Sequence, residues 1–113
     1  MNRGDSFECP LFINCGTYME PQRYELTEKD KVYFGLMEPN KLWEQSILKQ
    51  IYTYNSDKTE EGDLIIKIKP EETEYLIPGT YYYEIKLAKY NNENYDEVKE
   101  VKTIVPITLF TIL

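Results

Sequence analysis

Acid–base chemistry, thiol chemistry and cell adhesion are the three activities for which this chain carries residues at suggestive spacing. Carboxylates adjoin at Glu60-Glu61 and Glu71-Glu72, thiols stand at Cys9 and Cys15, and Arg3-Gly4-Asp5 spells the tripeptide of integrin ligands. Glycosidase-type work needs two carboxylates converging across a cleft, which adjacency in sequence does not provide. The acids also lack the spacing of a Ca²⁺ loop. The chain contains no histidine, so neither thiol has an imidazole to activate it. Two cysteines without histidine make a poor zinc site. Six residues of extended chain would hold Cys9 and Cys15 roughly 20 Å apart, beyond disulfide reach. Two reduced, partly buried thiols are expected. Arg3-Gly4-Asp5 reads as a turn entering a strand, with Asp5 capping it. No glycine-rich phosphate loop, nucleophile elbow or metal-binding helix motif occurs. The inventory describes a non-enzymatic chain with no cofactor and no metal.

Composition narrows the partners. The 113 residues suit one domain, 1–113, which can bury about two-thirds of its unfolded surface without staples. A net charge of −7 repels phosphate backbones, so nucleic acid is not an expected partner. No apolar run approaches the roughly 20 residues needed to cross a bilayer, and no membrane contact is expected. The first residues lack the apolar core of a signal peptide, which predicts a complete chain made in a cytoplasm. Eleven tyrosines are the one compositional sign of binding. Tyrosine packs its ring on a pleated surface while its hydroxyl stays wet, and it is enriched at interfaces.

The elements that must carry such a surface are strands. Six runs of strand length, mostly alternating apolar with polar, each end at a turn signal: Phe7–Ile13, Lys31–Met37, Ser46–Tyr54, Asp63–Lys69, Thr80–Leu87 and Lys99–Val105. Arg23–Leu26 is a short candidate, and Ile107–Leu113 is a final apolar run after a break at Pro106. Seven or eight strands are therefore predicted, as an antiparallel β-sandwich. Pro10 marks the first as an edge or interrupted strand. Val32, Phe34 and Leu36 alternate with Tyr33, Gly35 and Met37, which suits a central strand. Leu64, Ile66 and Ile68 should face the core. Asn55–Gly62 reads as a long hairpin connection, and the asparagine-rich 90–96 stretch as a hairpin tip. Pro70 with Glu71 and Glu72 predicts a helix start, limited by Pro78 to one or two turns, that crosses between sheets. Trp43 either plugs one end of the core or stands exposed as an anchor.

Leu76-Ile77-Pro78-Gly79-Thr80-Tyr81 resembles the corner of immunoglobulin-like and fibronectin type III sandwiches. There a leucine packs beneath a Pro-Gly turn, and a tyrosine opening the next strand bonds back to the backbone. The resemblance gives Leu76, Pro78, Gly79 and Tyr81 a structural role. A wider one rests on Arg3-Gly4-Asp5-Ser6-Phe7, Tyr24-Glu25-Leu26, Asp30–Phe34, Ile47–Ile51, Gly62–Ile66 and Gly79–Ile85 in that order. This succession is similar to the N-terminal domain of phage baseplate upper proteins and related small immunoglobulin-like virion proteins. It implies a non-catalytic part of a tailed-phage virion, made in the bacterial host cytoplasm. Its partners would be capsid, head-fibre, tail or baseplate proteins in a symmetric assembly. The baseplate family continues into further domains, whereas this sequence stops at Leu113, which favours a stand-alone accessory piece.

The candidate interface has two parts. Tyr52, Tyr54, Tyr82 and Tyr90, with Trp43, are expected as a surface aromatic patch, unless they only pack across strands. Ile107, Leu109, Phe110, Ile112 and Leu113 keep the end of the chain apolar. They are expected either to form a strand of the domain's own sheet or to be covered in part by a partner. The alternative function is a carbohydrate-binding module that stacks glycan on the same aromatics.

Overall fold

Two antiparallel sheets face each other across one core. The computed structural model describes residues 1–2 and 4–113; Arg3 of the Arg-Gly-Asp tripeptide lies outside them. The strands are β1 (Phe7–Leu11), β2 (Asp30–Met37), β3 (Leu48–Tyr52), β4 (Leu64–Ile68), β5 (Gly79–Tyr90) and β6 (Val98–Ile112). One sheet pairs β1 with β4; the other has the order β3-β2-β5-β6. A 3-10 turn at Trp43–Gln45 joins β2 to β3, and a one-turn helix α1 (Pro70–Thr73) joins β4 to β5.

Alternation explains the core. Val32, Phe34 and Leu36 of β2, Leu64, Ile66 and Ile68 of β4, and Tyr81, Ile85 and Leu87 of β5 are all buried. The sets follow every second position, with the half-buried Tyr83 completing the β5 row, so one face of each strand turns inward. Pro70 opens α1, and the Lys69 amide donates to Glu72 Oε1 at 2.7 Å, which satisfies a first-turn donor. This helix does carry the chain from one sheet to the other.

Among the described residues six strands form, not seven or eight. Arg23–Leu26 makes only an isolated bridge, Arg23 with Asn14, with the Tyr24 amide donating to the Ile13 carbonyl at 2.7 Å. At the other end, Pro106 does not break the chain. The segments 99–105 and 107–113 are one strand, β6, on the edge of its sheet, where a missing N–H costs little. Register shifts opposite Tyr83–Lys86 absorb one extra residue near Ile104 and another at Pro106-Ile107. The 55–62 connection is also not a hairpin, since β3 and β4 lie in different sheets. The thiols of Cys9 and Cys15 are free but exposed rather than partly buried. Cys9 follows the inward alternation of β1, yet β1 is an edge strand and that side of the sandwich is open.

The corner forms as the resemblance implies. Tyr81 Oη donates to the Ile77 carbonyl at 2.6 Å, and Leu76 packs against the core. Tyr81→Phe should lower stability by about 1 kcal/mol, the usual net worth of such a bond. Urea unfolding reads this directly; an unchanged midpoint would show that the bond contributes nothing.

Candidate docking surface

The outward face of the four-stranded sheet brings together five exposed large apolar side chains, Ile51, Val98, Val101, Ile107 and Leu109. It is built by the residues that alternate with the core. β2 presents Lys31, Tyr33, Gly35 and Met37, and β5 presents Tyr82, Glu84, Lys86 and Ala88. β3 adds Lys49 and Ile51. β6 adds Val98, Val101, Ile107 and Leu109, all about half exposed or more.

Gly35 decides the centre of this face. A Cβ there would come within 2.6 Å of Trp43 Nε1 and of Ser46 Oγ. The indole from the 3-10 turn thus folds back onto bare backbone. Its Nε1 is buried without an acceptor among the described residues, a penalty of about 1–3 kcal/mol that packing must offset. Tyr33 meets the indole at a right angle with centroids 6.0 Å apart. The ammonium groups of Lys49 and Lys86 lie 4.8 and 5.4 Å from the ring centroid.

A second aromatic group adjoins the first. Tyr33 and Tyr90 share a hydrogen bond between hydroxyls at 2.6 Å, and Tyr90 meets Tyr95 edge-on at 5.1 Å. Lys31 Nζ sits 4.1 Å from the Tyr95 ring. Burial, and then the bond to Tyr90, push the Tyr33 hydroxyl up to about 12. A hollow of about 240 Å³ lies between Tyr33, Trp43, Lys86, Ala88, Tyr90 and Val101. Further along, Tyr82 and Ile107 line another of about 340 Å³ beside the turn 38–41.

No protein-family model, curated protein or solved structure matched this chain. Its function is therefore read from this face and its surroundings.

The expected tyrosine patch assembles only in part. Tyr82 and Tyr90 share the outward face, towards opposite ends of β5, with Trp43 between them in neither expected position. Trp43 neither plugs the core nor stands free; it covers the outside of the sheet. Tyr52 turns inward because it pairs with Val32, and its hydroxyl bonds Gln50 and Lys67. Tyr54 stands apart beside Glu28 and Glu93. The terminal run divides by alternation. Phe110 and Ile112 face the core, whereas Ile107, Leu109 and Leu113 are exposed.

Sequence reasoning missed Tyr33, Tyr95, Lys31, Lys49, Lys86, Val98 and Val101. One signal was available: a glycine inside a central strand marks a place where something approaches the backbone. At Gly35 that something is Trp43. The carboxyls that do meet are Glu28 and Glu93, from two loops, rather than either adjacent pair. Their shared hydrogen bond holds Glu28 above the usual carboxylate range.

Proposed function

We propose that this chain is a non-catalytic docking domain, an immunoglobulin-like sandwich that packs the outward face of its four-stranded sheet against a larger symmetric assembly. The observation that carries this reading is the exposed apolar row on β6. Ile107 and Leu109 are each 58% exposed, and Val98 and Val101 continue the row. Natural edges are commonly blunted by charge, bulges or proline; this one has Pro106 and bulges and still leaves these apolar side chains exposed. The tailed-phage particle is the assembly to which the succession of strand motifs points. Its capsid, head-fibre, tail or baseplate proteins are the corresponding partners. The tyrosine corner agrees with an immunoglobulin-like sandwich. A glycan platform is less well supported, because Lys49, Lys86 and Tyr33 already occupy the surroundings of Trp43.

The test is the double variant Ile107→Asp with Leu109→Asp. Both side chains point away from the core, so circular dichroism and the unfolding midpoint should stay near those of the parent chain. Each apolar side chain buried at an interface is worth roughly 1.5–3 kcal/mol when fully desolvated. These two start half buried, so about tenfold loss apiece is expected in the amount co-sedimenting with particles. A folded double variant that co-sediments as well as the parent would remove this face from the docking surface.

A further inference from the structure

The two sheets differ in width, and the mismatch leaves one side of the sandwich open. Two strands cannot cover four. On one side the sheets are tied together: Gln50 and Tyr52 of β3 donate to the Lys67 carbonyl of β4. On the other side β1 lies over β6, where Phe7 meets Phe110 edge-on at 5.6 Å. Between them remains an apolar crevice of about 420 Å³, lined by Met1, Phe7, Leu11, Ile85, Val105 and Phe110 among others.

Backbone chemistry says what shape of occupant fits. Among the described residues, no strand pairs with the outer edges of β1 and β6. The edge of β6 is protected unevenly. Pro106 and the bulges interrupt it near 104–107, while Thr108–Ile112 is regular strand. Met1 already docks on that regular stretch. Its amino group donates to the Thr111 carbonyl at 2.8 Å, and the Leu113 amide donates to the Met1 carbonyl at 2.8 Å. These two bonds bracket Ile112, which is the arrangement of a parallel pair. Met1 is thus one residue of a parallel strand on β6. Alternation places the amides of Leu109 and Thr111 on the same free edge, next in line.

We propose that the crevice receives an extended strand from a partner protein, running parallel to β6 along Thr108–Ile112 and ending at Met1, with alternate apolar side chains entering between β1 and β6. The inference rests on the docking reading and names the chemistry of the partner. Main-chain bonds to the free edge would supply affinity, and the apolar crevice would select side chains. Charge favours a different protein over a second copy. Two chains of net charge −7 repel each other, whereas a neutral or basic strand is not opposed.

The experiment joins a six-residue segment of alternating valine and threonine directly before Met1 of the full chain. Tethering makes the addition intramolecular, so a weak strand contact becomes visible. A Gly/Ser segment of equal length is the comparison. Hydrogen exchange at the Thr111 and Leu109 amides should slow at least tenfold with the Val/Thr segment only. Thr111→Pro removes the edge donor at a position where proline is tolerated. It should leave the unextended fold intact and abolish the slowing. Equal exchange with both segments would overturn the proposal. So would concentration-dependent dimerisation of the unextended chain that the Val/Thr segment blocks, since the occupant would then be a second copy. These readouts need no particle, so failure of the strand slot is distinguishable from failure of the outward face to dock.

Discussion

Deleting Phe110–Leu113 is expected to unfold the domain, not merely to weaken docking. Ile112 is 1% exposed, and Phe110 packs on Phe7 across the core and on Tyr83 of the neighbouring strand β5. Losing a buried isoleucine or phenylalanine typically costs about 2–5 kcal/mol each. The deletion also removes the Leu113 amide and the Thr111 carbonyl that hold Met1. A combined loss of about 5 kcal/mol or more is comparable with the whole stability of a small domain. Urea unfolding and circular dichroism should show a chain largely unfolded without denaturant. A deletion variant with a native spectrum and a cooperative transition would mean that β6 ends its structural role before Phe110. The same logic separates fold from function within four residues: Leu113→Ser alone should leave the transition in place, because that side chain is exposed.

Asp30→Ala should be the most damaging single change outside the apolar core, at about 3 kcal/mol. Asp30 is 2% exposed and gathers three donors on one oxygen. Tyr24 Oη lies at 2.6 Å, the Thr27 amide at 2.8 Å and the Thr27 hydroxyl at 3.1 Å. Hydrogen bonds to a charged group are worth about 1.5–3 kcal/mol, and the alanine would strand part-buried donors. This cluster ties the loop ahead of β2 to the strand's first residue. Tyr24 registers the arrangement, its hydroxyl pushed well above the usual tyrosine range by burial and then by Asp30. Asp30→Asn keeps an acceptor oxygen and should cost clearly less than alanine. Tyr24→Phe combined with Asp30→Ala should cost less than the sum of the two single changes, since both remove the same bond. Additive losses in that cycle would show that the bond carries no stability.

Both the strands and the gaps between expectation and structure follow from what is local. Leu64-Ile65-Ile66-Lys67-Ile68 and Val32–Leu36 were legible because burial on one face imposes a period of two. The Tyr81 corner was legible because Pro-Gly and the following tyrosine form one short-range motif. Pro106 misled because its effect depends on strand position: a central strand would break there, whereas the β6 edge bulges and continues. A proline in a strand-like run fits either an edge or a break: at Pro10 both readings stay open, whereas at Pro106 the break is the reading adopted. Asn55–Gly62 misled in the same way, since a connection between sheets and a hairpin loop share a composition. The site was less legible still. Trp43, Tyr33, Lys49 and Lys86 come from four separate elements, the 3-10 turn, β2, β3 and β5, and meet only through the register of β2 with β3 and β5. Tyr52 and Tyr54, two residues apart, were grouped by composition but separated by a strand end.

The position of Trp43 has an optical consequence. It is the only tryptophan in the chain, and it rests on Gly35 on the outside of the sheet instead of within the core. Intrinsic fluorescence excited at the red edge of indole absorption therefore reports on the outward face. Its emission is set by two neighbouring ammonium groups, one tyrosine ring and an indole N–H without an acceptor among the described residues. A partner arriving on that face displaces water and lysine from the ring and changes the signal while the fold stays intact. The chain carries its own reporter of occupancy, read by light without labelling.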